Sequence, residues 1–119
     1  MRVFIGNDIE NVSRFNNLLI NKPQLLKRIF FEQEYAYALK SKNPDQSFTG
    51  IWCAKEAVLK AFTPFIILEP RQIEIIKNPK GYPEAIIHHP EISSINYHLS
   101  ISISHTREIA TAIALLQII

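Results

Sequence analysis

One long helix bracketed by two proline breaks constrains this chain more than any other feature. Asn43-Pro44-Asp45-Gln46-Ser47 carries helix-start chemistry, and Thr63-Pro64 ends the run, because a residue before proline avoids the helical region. Between them Phe48, Ile51, Trp52, Leu59 and Phe62 recur as one apolar stripe, while Ala54, Ala57 and Ala61 supply helix propensity. Beyond Pro64 the pattern becomes β-like. Ile73 to Ile76 reads as a strand, Asn78-Pro79-Lys80-Gly81 as a turn, and Ala85 to Ile87 as the strand it joins. Leu99, Ile101 and Ile103 then alternate with Ser100, Ser102 and Ser104, and Ile109 to Ile119 forms a last, almost wholly apolar strand.

Upstream of the long helix, Val3-Phe4-Ile5 reads as a short buried strand ending in a turn at Gly6. Val12, Phe15, Leu18 and Leu19 set a helix over Asn11 to Ile20, with Asn7, Asp8 or Asn11 available as its cap. Pro23 restarts a helix with Leu25, Leu26, Ile29 and Phe30, and a third carries Glu34, Tyr35, Tyr37 and Leu39. The order predicts an α+β fold, a long helix packed on an antiparallel sheet. Its 119 residues form one domain, being too few for two cores.

With 47% hydrophobic and 20% charged residues the chain is expected to fold, and the net charge of +2 is no footprint of nucleic-acid binding. The basic residues between Lys22 and Lys42 are interrupted by Glu32 and Glu34, and the aromatic residues lie mostly on apolar stripes. The single cysteine, Cys53, excludes an internal disulfide and a multi-cysteine zinc site. No apolar run approaches the ~20 residues of a membrane helix, and the opening residues lack a signal-type stretch, so the cytoplasm is the expected location. The last strand is apolar on both alternating sets, more than one small core buries, which predicts oligomerisation.

Three polar clusters bear on chemistry. Asp8, after Gly6, suits a hard cation or a helix cap. Lys55, Glu56 and Lys60 lie on the long helix, where Glu56 and Lys60 at i, i+4 also read as a surface ion pair. Ser102, Ser104 and His105 end a strand, placed to meet phosphate or simply to be half-exposed. Neither a Walker loop, a dinucleotide fingerprint nor a nucleophile elbow is present.

Together these segments resemble the holo-[acyl-carrier-protein] synthases, the small bacterial type of 4′-phosphopantetheinyl transferase. Gly6-Asn7-Asp8-Ile9 with Arg14 is similar to the family's opening motif, and Trp52-Cys53-Ala54-Lys55-Glu56-Ala57-Val58-Leu59-Lys60-Ala61 to its helix motif. Gly81-Tyr82-Pro83 resembles its turn and Ile101-Ser102-Ile103-Ser104-His105 its closing strand, in the same order from Val3 to about Leu115. The resemblance implies Mg²⁺-dependent transfer of 4′-phosphopantetheine from coenzyme A to a serine of apo acyl carrier protein, releasing 3′,5′-ADP, in fatty acid biosynthesis. It implies a homotrimer with sites between protomers. It assigns the metal to Asp8 and Glu56, catalysis to Asp8, Glu56, Lys60 and His105, and coenzyme A to Lys55, Lys60, Ser104 and His105. Arg14, Lys22, Lys27 and Arg28 are the expected docking residues for the acidic carrier. Three positions depart from the pattern: Thr63-Pro64-Phe65 replaces a glycine-containing loop, Asn7 an apolar residue and Ile51 an arginine. The glycine-free loop predicts weaker coenzyme A binding, and its limiting case is an oligomeric binding protein that has lost efficient transfer.

Overall fold

The computed structural model describes residues 1–119. In chain order it contains β1 (Arg2–Asn11), α1 (Val12–Asn21), α2 (Pro23–Ile29), α3 (Glu32–Lys40), α4 (Pro44–Phe62), β2 (Ile73–Lys77), β3 (Pro83–Ile87), β4 (Tyr97–His105) and β5 (Ile109–Ile118), an α+β fold. The strands form two antiparallel sheets rather than one: a three-stranded sheet in the order β1-β5-β4, and a separate β2-β3 hairpin. The hairpin turns at Gly81, whose φ of 97° is the left-handed conformation that glycine adopts without strain.

Strand β1 is longer than the three apolar residues suggest, and Gly6 is not a turn. It sits in mid-strand, paired with Ala114 of β5, and is buried. The residue is glycine because α4 crosses here: a Cβ would overlap the Ala57 carbonyl and come within 2.8 Å of the Ala61 nitrogen. On the same face of the sheet Ala110, Ala112 and Ala114 of β5 are buried, as are Ala54, Ala57 and Ala61 of α4. The helix alanines therefore let α4 lie close against the sheet, beyond supplying propensity.

Period-2 alternation then sends the bulky residues the other way. In β1 only Phe4 of the Val3-Phe4-Ile5 run turns inward, whereas Ile5 is 62% and Ile9 67% exposed. Val3, Ile109 and Ile113 are exposed on the same outer face, flanked in β4 by His98, Ser100, Ser102 and Ser104. The strand expected to be buried is thus half-exposed, because α4 accepts only the small-residue face.

On its other flank α4 closes an aromatic core. Phe48 meets Phe30 and Tyr35 at ring-centroid distances of 5.1 and 5.2 Å, and Phe15 packs against Phe30 and Trp52. Burying a side chain such as Phe48 contributes about 1.5–3 kcal/mol. After Phe62 the chain makes a tight right-handed turn in which the Phe65 and Ile66 amides both donate to the Phe62 carbonyl, at 2.8 and 3.0 Å. Phe65 then stacks edge-on against Phe4 at 4.8 Å. No residue other than glycine has positive φ, so the Thr63-Pro64-Phe65 segment needs no glycine to turn.

Candidate active site

Two residues beyond Gly6 on the same face of β1 is Asp8, and two beyond that is Glu10. Where α4 comes closest to β1, its second half carries Glu56 and, one turn on, Lys60. Lys60 reaches across rather than along its own helix: Nζ lies 3.3 Å from Asp8 Oδ1 and donates to the Asn7 carbonyl at 2.9 Å. The expected Glu56–Lys60 surface pair does not form. Asp8 does not cap α1 either, since that helix starts four residues later behind Asn11 and draws on the Glu10 carboxylate and the Glu108 carbonyl.

Electrostatics mark the same place. Burial raises the proton affinity of Glu56 above the ordinary carboxylate range, the neighbouring Asp8 charge adds to it, and Lys60 and Arg14 oppose it. Beneath them Cys53 is buried, with Sγ 3.5 Å from the Ala110 carbonyl, and its thiol is pushed up to about 12 by burial and then by Asp8, Glu10 and Glu56. Three carboxylates thus share one neighbourhood with two cationic side chains, which leaves an unneutralised negative charge. No group of three or more His, Cys, Asp or Glu side chains is placed to hold a metal alone. Mg²⁺ does not require one, because it commonly takes one or two carboxylates and completes its octahedron with phosphate oxygens and water. The all-oxygen donor set of Asp8 and Glu56 fits that ion.

Lys55 behaves differently from its expected part in coenzyme A binding. Its side chain is fully buried, and Nζ is engaged by Glu34 Oε1 at 2.8 Å, the Ile73 carbonyl at 2.5 Å and the Pro70 carbonyl at 3.3 Å. An ammonium has three donors, so none is left for a phosphate. Burial lowers its proton affinity and Glu34 offsets part of that. In sequence Lys55 looks like a surface lysine; its partner lies on another helix, out of reach of any local pattern.

Ser104 and His105 are exposed at the end of β4, on the far edge of the sheet from Asp8, two strands or roughly 10 Å away. Ser104 pairs with Thr111, itself opposite the outward-facing Ile9, so it lies on the outer face, away from α4. Near that edge a cavity of about 360 Å³ is lined by Gln33, Tyr37, Ile51, Lys77, Pro83 and Ile103. One protomer therefore brings Asp8, Glu56 and Lys60 together and leaves Ser104 and His105 apart from them. Arg14 on α1 bonds Glu10 at 2.5 Å with its side chain about half exposed, and its guanidinium lies over Trp52. Lys22, Lys27 and Arg28 are exposed at the ends of α1 and α2. Glu10 is a site neighbour that no sequence motif marks. It becomes legible only once β1 is seen to run on through Asp8, because a residue two further along a strand shares its face.

Known proteins bear on this arrangement directly. A family model described as the 4′-phosphopantetheinyl transferase superfamily matches residues 4–114. A holo-[acyl-carrier-protein] synthase of Caldanaerobacter subterraneus is 35% identical over 121 residues, covering 97% of this chain and 94% of that one. The structure of the Helicobacter pylori holo-[acyl-carrier-protein] synthase in complex with coenzyme A is 28% identical, with a TM-score of 0.80 over 95% of this chain and 99% of that one. An ACPS–CoA complex from Chronobacterium ammoniagenes shares the fold with a TM-score of 0.84 at 23% identity, covering 100% and 99%. A chain matched over nearly its whole length, with the two carboxylates and the lysine of the helix motif gathered on one side of α4, belongs to the 4′-phosphopantetheinyl transferase superfamily, among the holo-[acyl-carrier-protein] synthases.

Proposed function

We propose that this chain moves the 4′-phosphopantetheine arm of coenzyme A onto a serine of apo acyl carrier protein, in the cytoplasm and in the service of fatty acid biosynthesis. The serine oxygen forms a bond to the phosphorus that bears the pantetheine, the bond from that phosphorus to the bridging oxygen breaks, and 3′,5′-ADP leaves with the electron pair. The serine proton passes to solvent as the new ester forms. The observation that carries this reading is the convergence of Asp8 and Glu56 beside Lys60, with Glu56 held at raised proton affinity by burial and by Asp8.

Asp8 and Glu56 are the residues that would hold Mg²⁺, which when bound neutralises diphosphate charge. Lys60, within 3.3 Å of Asp8 and half exposed, offers its ammonium to the phosphate oxygens that gain charge as ADP leaves. Arg14, Lys22, Lys27 and Arg28 are assigned to the acidic carrier. The glycine-free turn after α4 offers no glycine backbone to phosphate, which supports weaker coenzyme A binding than in glycine-bearing relatives.

Ser104 and His105 at the end of β4 are assigned to a site completed by a second copy. Support comes from the outer face of the sheet, where Val3, Ile5, Ile9, Ile109 and Ile113 form an apolar surface that a single copy leaves in water. Three copies, as the family resemblance implies, would set the β4 edge of one against the carboxylates of the next. The test of the transfer reading is release of 3′,5′-ADP. It should require coenzyme A, apo carrier and a divalent cation together, and stop with EDTA. Release that persists in EDTA contradicts the metal assignment; release without carrier contradicts the transfer.

A further inference from the structure

Lys55 immediately precedes Glu56, and successive residues of a helix point about 100° apart. When Lys55 is fixed toward α3 and β2, the direction of Glu56 toward β1 is fixed as well. What fixes Lys55 is a closed network. Glu34 takes the Lys55 ammonium and the Phe31 amide (2.7 Å) on Oε1, and the Ile75 amide on Oε2 at 2.7 Å. Lys55 in turn ties the Ile73 and Pro70 carbonyls. Both side chains have 0% exposure, and the rings of Phe30 and Phe31 lie 5.4 and 5.1 Å from the ammonium. No buried side-chain nitrogen or oxygen lacks a partner.

The opposite flank of α4 is held differently. Gly6 meets Ala57 and Ala61 through small surfaces that set how close the helix lies, and the polar ties there, from Lys60 to Asp8 and the Asn7 carbonyl, are made by a half-exposed side chain. Charge-assisted hydrogen bonds have direction, and the Lys55–Glu34 pair is the only ion pair joining α4 to the α3 side of the fold. We infer that Lys55 and Glu34 form a positioning clamp that sets the rotation of α4 and so aims Glu56 at Asp8. This rests on the reading that Asp8 and Glu56 hold a divalent cation. Lys55 acts through Glu56 and touches no ligand.

The test replaces the pair by neutral groups of similar size, Lys55→Met with Glu34→Gln, and measures Mn²⁺ affinity by calorimetry in the presence of coenzyme A. The clamp predicts a folded protein whose Mn²⁺ affinity falls roughly 10-fold, the loss typical when a group supporting a metal ligand is removed. It also predicts a fall in kcat at saturating carrier with KM for the carrier unchanged. Should that pair not fold, Glu34→Asp keeps the charge, draws the carboxylate back by one methylene and should show the same shift in smaller measure. Mn²⁺ affinity within twofold of the wild type in a folded variant overturns the clamp and leaves the pair a purely structural one. A wild-type chain that takes up no Mn²⁺ with coenzyme A present overturns the carboxylate reading, and the clamp with it.

Discussion

Glu56 shows how a single side chain can oppose the fold that holds it. Its folded-state proton affinity lies above the ordinary value of 4.5, so between that value and the raised one the native chain binds more protons than the unfolded chain. Stability then falls as pH rises through that window, and the cost is fully present above it. Glu56→Gln should therefore raise the melting temperature of cation-free protein at pH 7 and leave it unchanged at pH 3, a small effect because the side chain is only partly buried. The same substitution should lower transfer by about 10²–10³-fold, the usual loss on removing one preorganised electrostatic group. Thermal melts at the two pH values and a rate assay check both; a melting temperature lowered at pH 7 by the substitution contradicts the unfavourable charge placed on Glu56 by partial burial and Asp8. At this scale the sequence was legible where a residue's partners are local. Asp8 and Glu56 were identifiable as carboxylates of interest, but Asp8 has the same position in sequence whether it caps α1 or meets Lys60, 52 residues away. Lys55 is illegible for the same reason: its carboxylate partner comes from α3.

Strand β1 and helix α4 depend on each other at Gly6. Alanine there would overlap backbone rather than a side chain that can move aside, so Gly6→Ala should destabilise by about 1–3 kcal/mol or more. It should also push α4 away from Asp8, lowering transfer in whatever fraction still folds. Urea unfolding measures the first effect; a Gly6→Ala variant as stable as wild type contradicts the close crossing. The elements themselves were largely readable, because proline pairs bracket α4 and alternation marks β4. The facing of β1 and β5 was not. In β5 both alternating sets are apolar, so composition alone does not tell that the alanines face the helix and that Ile109 and Ile113 face away. Nor does a glycine after three apolar residues distinguish a turn from a close helix crossing. The hairpin is legible as two strands and a turn, but its separation from the main sheet is decided by which strands find β5.

For the whole molecule, the outward apolar side chains of β1 and β5 are the surface on which the proposed association rests. The chain should sediment at three times 13.7 kDa, and Ile5→Glu with Ile113→Lys should sediment as a monomer and lose transfer while keeping its helical circular dichroism. A wild-type monomer with full activity contradicts a shared site. The basic residues of α1 and α2 predict a second, salt-dependent property. Arg14→Glu should raise KM for the carrier several-fold more than KM for coenzyme A, and the wild-type on-rate should fall as ionic strength rises. Equal loss on both substrates places Arg14 in the fold or in coenzyme A binding instead. The central claim is that Asp8 and Glu56 serve phosphopantetheine transfer, and the mass of the carrier itself tests it most directly. Apo acyl carrier protein incubated with this chain, coenzyme A and Mg²⁺ should gain the mass of one 4′-phosphopantetheine on a single serine, and should stay apo with Asp8→Asn or Glu56→Gln in its place. A carrier left unmodified by the wild type, or modified equally by the two variants, contradicts the account.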